Sequence, residues 1–174
     1  MAQDDRPEPK YPMNAAHLMR TAQLAQLQLS AMADHKASIL MGATFVIFTI
    51  TIGKAQGAIA PLPLLILGAS AFFSAICAVV AVLPATHGRR KAPLNLLFFG
   101  SFTRLEEEEY LDRLTERLKS EDSIYRTMAR DIYQNGLVLE RKKYRFLGYA
   151  YRIFLVGLTA SFIAFVVQYL GYMS

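Results

Sequence analysis

The chain has 174 residues, of which 53% are hydrophobic and 19% charged, with a net charge of +5. Soluble domains carry ~45–50% apolar and roughly 25% charged residues, so the length suits one domain and the balance leans toward lipid. The basic excess collects beside apolar runs, where membrane topology accounts for it, and no zinc-finger spacing or aromatic–basic motif argues for nucleic acid.

Residues 1–12 are polar and contain Pro7, Pro9 and Pro12. They read as a flexible tail and lack the basic start and early apolar stretch of a secretory signal. Residues 13–36 read as a cytoplasmic helix, with His17, Arg20, Leu24, Leu27, Ala31 and Asp34 recurring at three-four spacing and marking the side expected to be buried. The helix continues into a first span, residues 37–53, an uncharged run between Lys36 and Lys54. At 1.5 Å per residue it covers about 25 Å, and both lysines can snorkel to make up the hydrocarbon thickness.

A second span covers residues 62–83, opened by Pro61 and Pro63 and closed by Pro84. The short connection makes it antiparallel to the first. Gly68, Ala69, Ser70, Ala71, Ser74 and Ala75 leave part of it small, as close helix packing in a bilayer requires. Cys77, the one cysteine, is a small lipid- or core-facing side chain within this run.

Residues 87–145 form a long charged loop, read as a cytoplasmic helical hairpin. Its segment 94–102 holds Leu94, Leu96, Leu97, Phe98 and Phe99, too short to span. It reads as interfacial, or alternatively as a plug packed on the cytoplasmic helices. Thr103 to Glu106 has capping-box spacing, and Glu106 to Glu109 would place negative charge on a first helical turn. Leu111, Leu114 and Leu118 make an apolar stripe, with Glu109 in reach of Arg113. Ser120 or Asp122 can cap a following helix whose buried side is Ile124, Met128, Ile132 and Leu139. Asn135-Gly136 is either a break or tolerated within one helix running on into the third span.

That third span covers residues 146–172, with Gly157, Ala160, Ser161 and Ala164 on its small side. The fold class is therefore an all-α membrane protein of about three transmembrane helices with a cytoplasmic helical bundle. Lysine and arginine crowd the long loop, including Arg89, Arg90, Lys91 and Arg141 to Arg145, whereas the short loop has only Lys54. The N-terminus and long loop are thus expected in the cytoplasm and the C-terminus outside.

No catalytic constellation is present. His17, His35 and His87 are far apart and without metal-ligand spacing, and there is no phosphate-cradling loop or nucleophile elbow. With about 70 residues in spans, the remainder is too small and regular for an active-site domain, so we expect no enzyme, metal or cofactor. One polar constellation stands out. Asp34, beside Lys36 at the edge of span one, needs a partner, and Arg141, Lys142, Lys143 and Arg145 enter span three at the same depth. The expected pair is either a staple between helices or part of a switch or anion site.

The order of short motifs carries a resemblance. Ser30-Ala31-Met32-Ala33-Asp34-His35-Lys36-Ala37-Ser38 precedes two spans. Leu97-Phe98-Phe99-Gly100 and Glu108-Glu109-Tyr110-Leu111 follow, then Asp131-Ile132-Tyr133, Leu137-Val138-Leu139, Lys143-Tyr144-Arg145 and a last span. From about residue 15 to 172 the chain resembles the transmembrane effectors of Pycsar bacterial anti-phage defence. Phe98, Phe99, Gly100, Glu109, Tyr110, Asp131 and Tyr133 are the family-like positions.

The resemblance implies a multi-pass protein of the bacterial inner membrane, activated by a cyclic pyrimidine mononucleotide (cCMP or cUMP) from a partner cyclase and impairing that membrane. No cyclic-nucleotide-binding β-barrel is recognisable, so the ligand would bind among the helices or between subunits of a homo-oligomer. The implied binding or switch residues are Asp34, Lys36, Arg104, Arg130, Lys142, Lys143, Tyr144 and Arg145. The competing expectation is a non-enzymatic membrane anchor that binds a soluble partner through its hairpin. A channel is not supported by spans without central charge.

Overall fold

A computed structural model describes residues 10–55, 61–84 and 94–173. Most of the expected tail, His87 and the basic residues Arg89 to Lys91 lie outside the described residues. Among those described there is no strand. The helices are α1 (Ala15–Ala55), α2 (Leu62–Val82), α3 (Phe99–Phe102), α4 (Glu107–Arg117), α5 (Glu121–Val138) and α6 (Arg145–Met173), with a π-helical segment, Leu139–Tyr144, between the last two. Three continuous helical stretches, Ala15–Ala55, Leu62–Val82 and Glu121–Met173, are long and apolar enough to cross a membrane. Gly136 is thus no break. With no proline nearby and its position inside the helix, it costs only about 1 kcal/mol relative to alanine.

The chain divides into two compact units, Met1–Gln28 with Pro84–Val138, and Leu29–Leu83 with Leu139–Ser174. The second is the spanning unit. Its buried positions are small: Ala33, Ala37 and Thr44 on α1, Gly68, Ala71, Ser74, Ala78 and Ala81 on α2, Ala150, Gly157 and Ser161 on α6, with Leu40 and Leu147 as the large members. The large apolar side chains face outward. Phe45 is 69% exposed, Val156 68% and Phe162 65%. That inversion suits a hydrocarbon solvent, where burying a leucine gains nothing over leaving it in lipid and close backbone approach is what packing can add.

The helix approach is close. A Cβ added at Gly157 would collide with the Cβ and Oγ of Ser70, and one at Gly68 would come within 2.5 Å of Thr51 Cγ2. Two hydroxyls tie α6 to α2: Ser74 Oγ donates to the Ala150 carbonyl at 2.8 Å, and Ser161 Oγ to the Pro63 carbonyl at 2.7 Å. These pairings run in opposite directions along the two helices, so α2 and α6 are antiparallel. Thr44 and Thr51 satisfy their buried hydroxyls on carbonyls of their own helix. Tyr144 donates to the Leu29 carbonyl and Tyr151 to the Lys36 carbonyl, both at a sequence offset of 115, so α1 and α6 run parallel.

The first unit is polar and helical. Its part of α1 corrects the expected stripe: Leu24 is 59% and Leu27 66% exposed. The inward side instead carries Gln23 and Gln26, whose amides reach α5, and the leucines lie on another face of the same helix. Thr103 does not cap α4. Its hydroxyl donates to the Phe99 carbonyl inside α3, and Glu106 takes the N-cap position without a side-chain bond. The acidic run still loads the first turn of α4 through Glu107, Glu108 and Glu109. Leu111 and Leu118 of the expected stripe are exposed, and Tyr110 and Leu114 are the half-buried residues of α4.

Ser120 caps α5, its Oγ accepting from the Ser123 amide. Leu96 is 6% exposed and Asn95 1%, which fits the plug alternative for this segment. Phe98 folds its ring over Gly100, where an added Cβ would lie 2.7 Å from Phe98 Cε1.

Ahead of α1, Tyr11 donates to Asp122 at 2.6 Å and packs on Tyr125 with ring centroids 4.6 Å apart. The Tyr11 hydroxyl, and after it Arg126, hold the Asp122 carboxyl below its ordinary range, while the bond to Asp122 raises the Tyr11 phenol.

Two predictions follow from these contacts. Gly157→Ala lowers stability by about 1–3 kcal/mol, the usual cost of overpacking, and adding Ser70→Gly recovers most of it, as read by thermal melting in detergent. The anchor of Tyr11 on α5 is pH-bounded. Asp122 contributes fully above the free carboxylate value near ~4 and loses its contribution as pH falls through its lower folded value. Tyr11 contributes fully below ~10 and loses it as pH rises through its higher folded value. Its ring NMR shifts therefore stay flat from about pH 5 to 9 and move only beyond those limits.

Candidate functional site

In the spanning unit, the pair expected at Asp34 forms. Lys143 Nζ lies 2.6 and 2.8 Å from the two Asp34 oxygens and 2.7 Å from Ser30 Oγ. The lysine side chain is 19% exposed and the aspartate 40%, so solvent screens part of the attraction. The π-helical segment carries Lys143, and the wider i→i+5 turn is a local departure that recurs at functional positions in helices. The neighbouring candidates have their own partners. Arg145 Nε donates to Tyr149 Oη at 3.1 Å and lies over that ring, Tyr144 bonds the Leu29 carbonyl, and the Lys36 carbonyl receives Tyr151. Lys142 is also partnered. Lys143, Tyr144 and Tyr151 thus tie the last helical stretch to α1, whereas Arg145 bonds within its own helix.

In the first unit the central group is Asp131, 6% exposed. Its Oδ1 accepts from Asn95 Nδ2 at 3.0 Å and Asn135 Nδ2 at 2.9 Å, and its Oδ2 from Gln23 Nε2 at 3.1 Å. All three donors are neutral amides, drawn from the 94–98 segment, α5 and α1. Asn95 is itself fixed twice more: its Oδ1 accepts the Leu97 amide and its backbone N–H donates to Ser101 Oγ. Every such bond satisfies a buried polar group that would otherwise cost about 1–3 kcal/mol.

Beside this network is a cleft of about 480 Å³, lined by Asn95, Asp112, Arg113, Glu116, Arg117 and Arg130, with Thr127 at its wall. The arginines come from successive turns of α4 and from α5. Arg113 pairs with Glu109 at 2.6 Å and Glu116 with Lys119 at 2.5 Å. The Lys119 bond and charge hold the Glu116 carboxyl below its ordinary range. Removing these two internal pairs leaves Arg117 and Arg130 against Asp112, one net positive charge.

Of the sequence candidates, Arg130 lines the cleft and Arg104 belongs to the same unit, while Asp34, Lys36 and Lys142 to Arg145 belong to the spanning unit. The family-like positions Phe98, Phe99, Gly100, Glu109, Tyr110, Asp131 and Tyr133 all fall in the first unit. There Asp131 is the hub, Tyr110 packs on Phe102 at 4.9 Å, and Tyr133 is 67% exposed. Sequence reasoning missed Gln23, Asn95, Arg117 and the bond from Asn135 to Asp131. The i,i+4 spacing of Arg113 and Arg117 was the available signal for the cleft.

Fold and site define a helical membrane protein whose polar unit offers a small-molecule-sized, cationic cleft, with no group of three metal-ligating side chains among the described residues. The chain belongs to the family of the Pycsar effector protein domain (PycTM), whose sequence model matches residues 17–170. It thus has a role in Pycsar anti-phage defence, a system with a cyclic nucleotide signal and a cyclase partner. Comparisons with curated proteins and with solved structures return no match.

The Asp131 hub makes a prediction of its own. Asp131→Ala strands three amide donors and costs about 1–3 kcal/mol. Asp131→Asn, which keeps one acceptor oxygen, costs less. Detergent melting curves of the two variants decide it, and equal losses would show that the acceptor oxygens contribute nothing.

Proposed function

We propose that the chain is a non-catalytic effector, activated by cCMP or cUMP from the partner cyclase, that impairs the bacterial inner membrane. The observation that carries this reading is the family match over residues 17–170. Three apolar helices fit a bilayer, and the parallel course of α1 and α6 agrees with an odd number of crossings. The lysine and arginine excess of the long loop supports a cytoplasmic N-terminus and hairpin with the C-terminus outside.

In this reading Asp34, Ser30 and Lys143 form a latch between the two parallel helices. A ligand that binds one arrangement of the helices more tightly shifts their equilibrium by that difference in affinity. Exposed Leu24, Leu27, Leu111 and Leu118 support assembly of several copies. The same exposed leucines favour the second reading, an anchor that holds a soluble partner.

Reconstitution separates the two. Liposomes containing the purified chain release trapped dye when cCMP or cUMP is added and stay closed with the linear nucleotide CMP. Equal leakage with and without cyclic nucleotide would sink the effector reading, and a stable co-purifying soluble protein would favour the anchor.

A further inference from the structure

We propose that the cleft between α4 and α5 is the seat of the signalling nucleotide, with the cyclic phosphate on Arg117 and Arg130, the ribose 2′-hydroxyl on Asp112 and Asn95 at the floor beneath the base. The inference rests on the reading of the chain as a nucleotide-activated effector, and adds where the ligand binds and which of its groups are recognised.

Charge selects the ligand class. A nucleoside 3′,5′-cyclic monophosphate is a monoanion, and the cleft has one net positive charge once its internal pairs are set aside. A linear monophosphate, a triphosphate or a cyclic dinucleotide brings more negative charge than these groups balance. Size agrees: about 480 Å³ lies in the lower part of the ~300–1,000 Å³ range of small-molecule sites.

Geometry supports the roles. A guanidinium offers a planar fork to two phosphate oxygens, and Arg117 and Arg130 make no ion pair with another described residue. The rival cations of the spanning unit are committed, Lys143 to Asp34 and Ser30 and Arg145 to Tyr149. The only free ribose hydroxyl of such a ligand is at 2′, and a carboxylate such as Asp112 accepts its proton in a hydrogen bond.

Asn95 gives the seat an outlet. It lines the cleft, bonds Asp131, and Asp131 in turn bonds Gln23 on α1, the helix that continues to Ala55. A ligand pressing on Asn95 therefore acts on a buried network with no spare partner.

Isothermal titration of the full-length chain in detergent with cCMP and cUMP tests the seat. The wild type binds at least one of them. Arg117→Ala and Arg130→Ala each weaken binding at least tenfold without lowering the melting temperature, as expected for exposed side chains, while Lys142→Ala leaves affinity unchanged. The 2′-deoxy analogue and CMP each bind at least tenfold more weakly. If the wild type binds and both arginine variants bind equally well, the seat is wrong and the effector reading stands. If the wild type binds neither cyclic nucleotide, the effector reading fails and takes the seat with it.

Discussion

The packing of the spanning unit depends on how closely two helix backbones approach where Gly157 meets Ser70. In water, large apolar side chains would be drawn between the helices. In lipid they have no such preference, so the seam is made of glycine, alanine and serine, and the phenylalanines and leucines turn outward. The same closeness lets Ser74 and Ser161 reach carbonyls across the seam, bonds that a bulkier interface would hold out of range. One steric choice thus sets the packing, the hydrogen bonding and the outward apolar surface together.

The polar unit is organised by the opposite logic. Its buried polar groups are amides and one carboxyl, and specificity comes from matching donors to acceptors. Asp131 gathers Gln23, Asn95 and Asn135, so α1, the 94–98 segment and α5 share one fixed point. Such a network is satisfied only in one arrangement of its elements, whereas a purely apolar core tolerates sliding.

The spans, the long helices and the family were legible in the sequence, because apolar length and motif order survive without tertiary information. The Asp34 pair was legible too, since a carboxylate near a membrane edge demands a cation and Lys143 stands at the matching depth. The inward face of α1 before residue 29 was not. Periodicity favours Leu24 and Leu27, but the helix turns Gln23 and Gln26 inward, and no rule of hydrophobic spacing anticipates an amide-lined interior. The capping box at Thr103 failed for a related reason: a one-turn helix at Phe99–Phe102 claims the threonine hydroxyl before α4 begins. The one signal for the cleft, the i,i+4 spacing of Arg113 and Arg117, is easily discounted, because on the helix alone Arg113 looks like an ordinary i,i+4 partner of Glu109. Only the approach of α5 and the buried Asn95 turns them toward a common space.

The bonds of Tyr144, in the π-helical segment, and Tyr151, in α6, to α1 share a single offset, and that equality has a mechanical meaning. Sliding one helix along the other breaks both bonds together, and side chains find equivalent carbonyls only after about one helical repeat of 5.4 Å. Any axial displacement of one against the other would therefore cost both bonds at once.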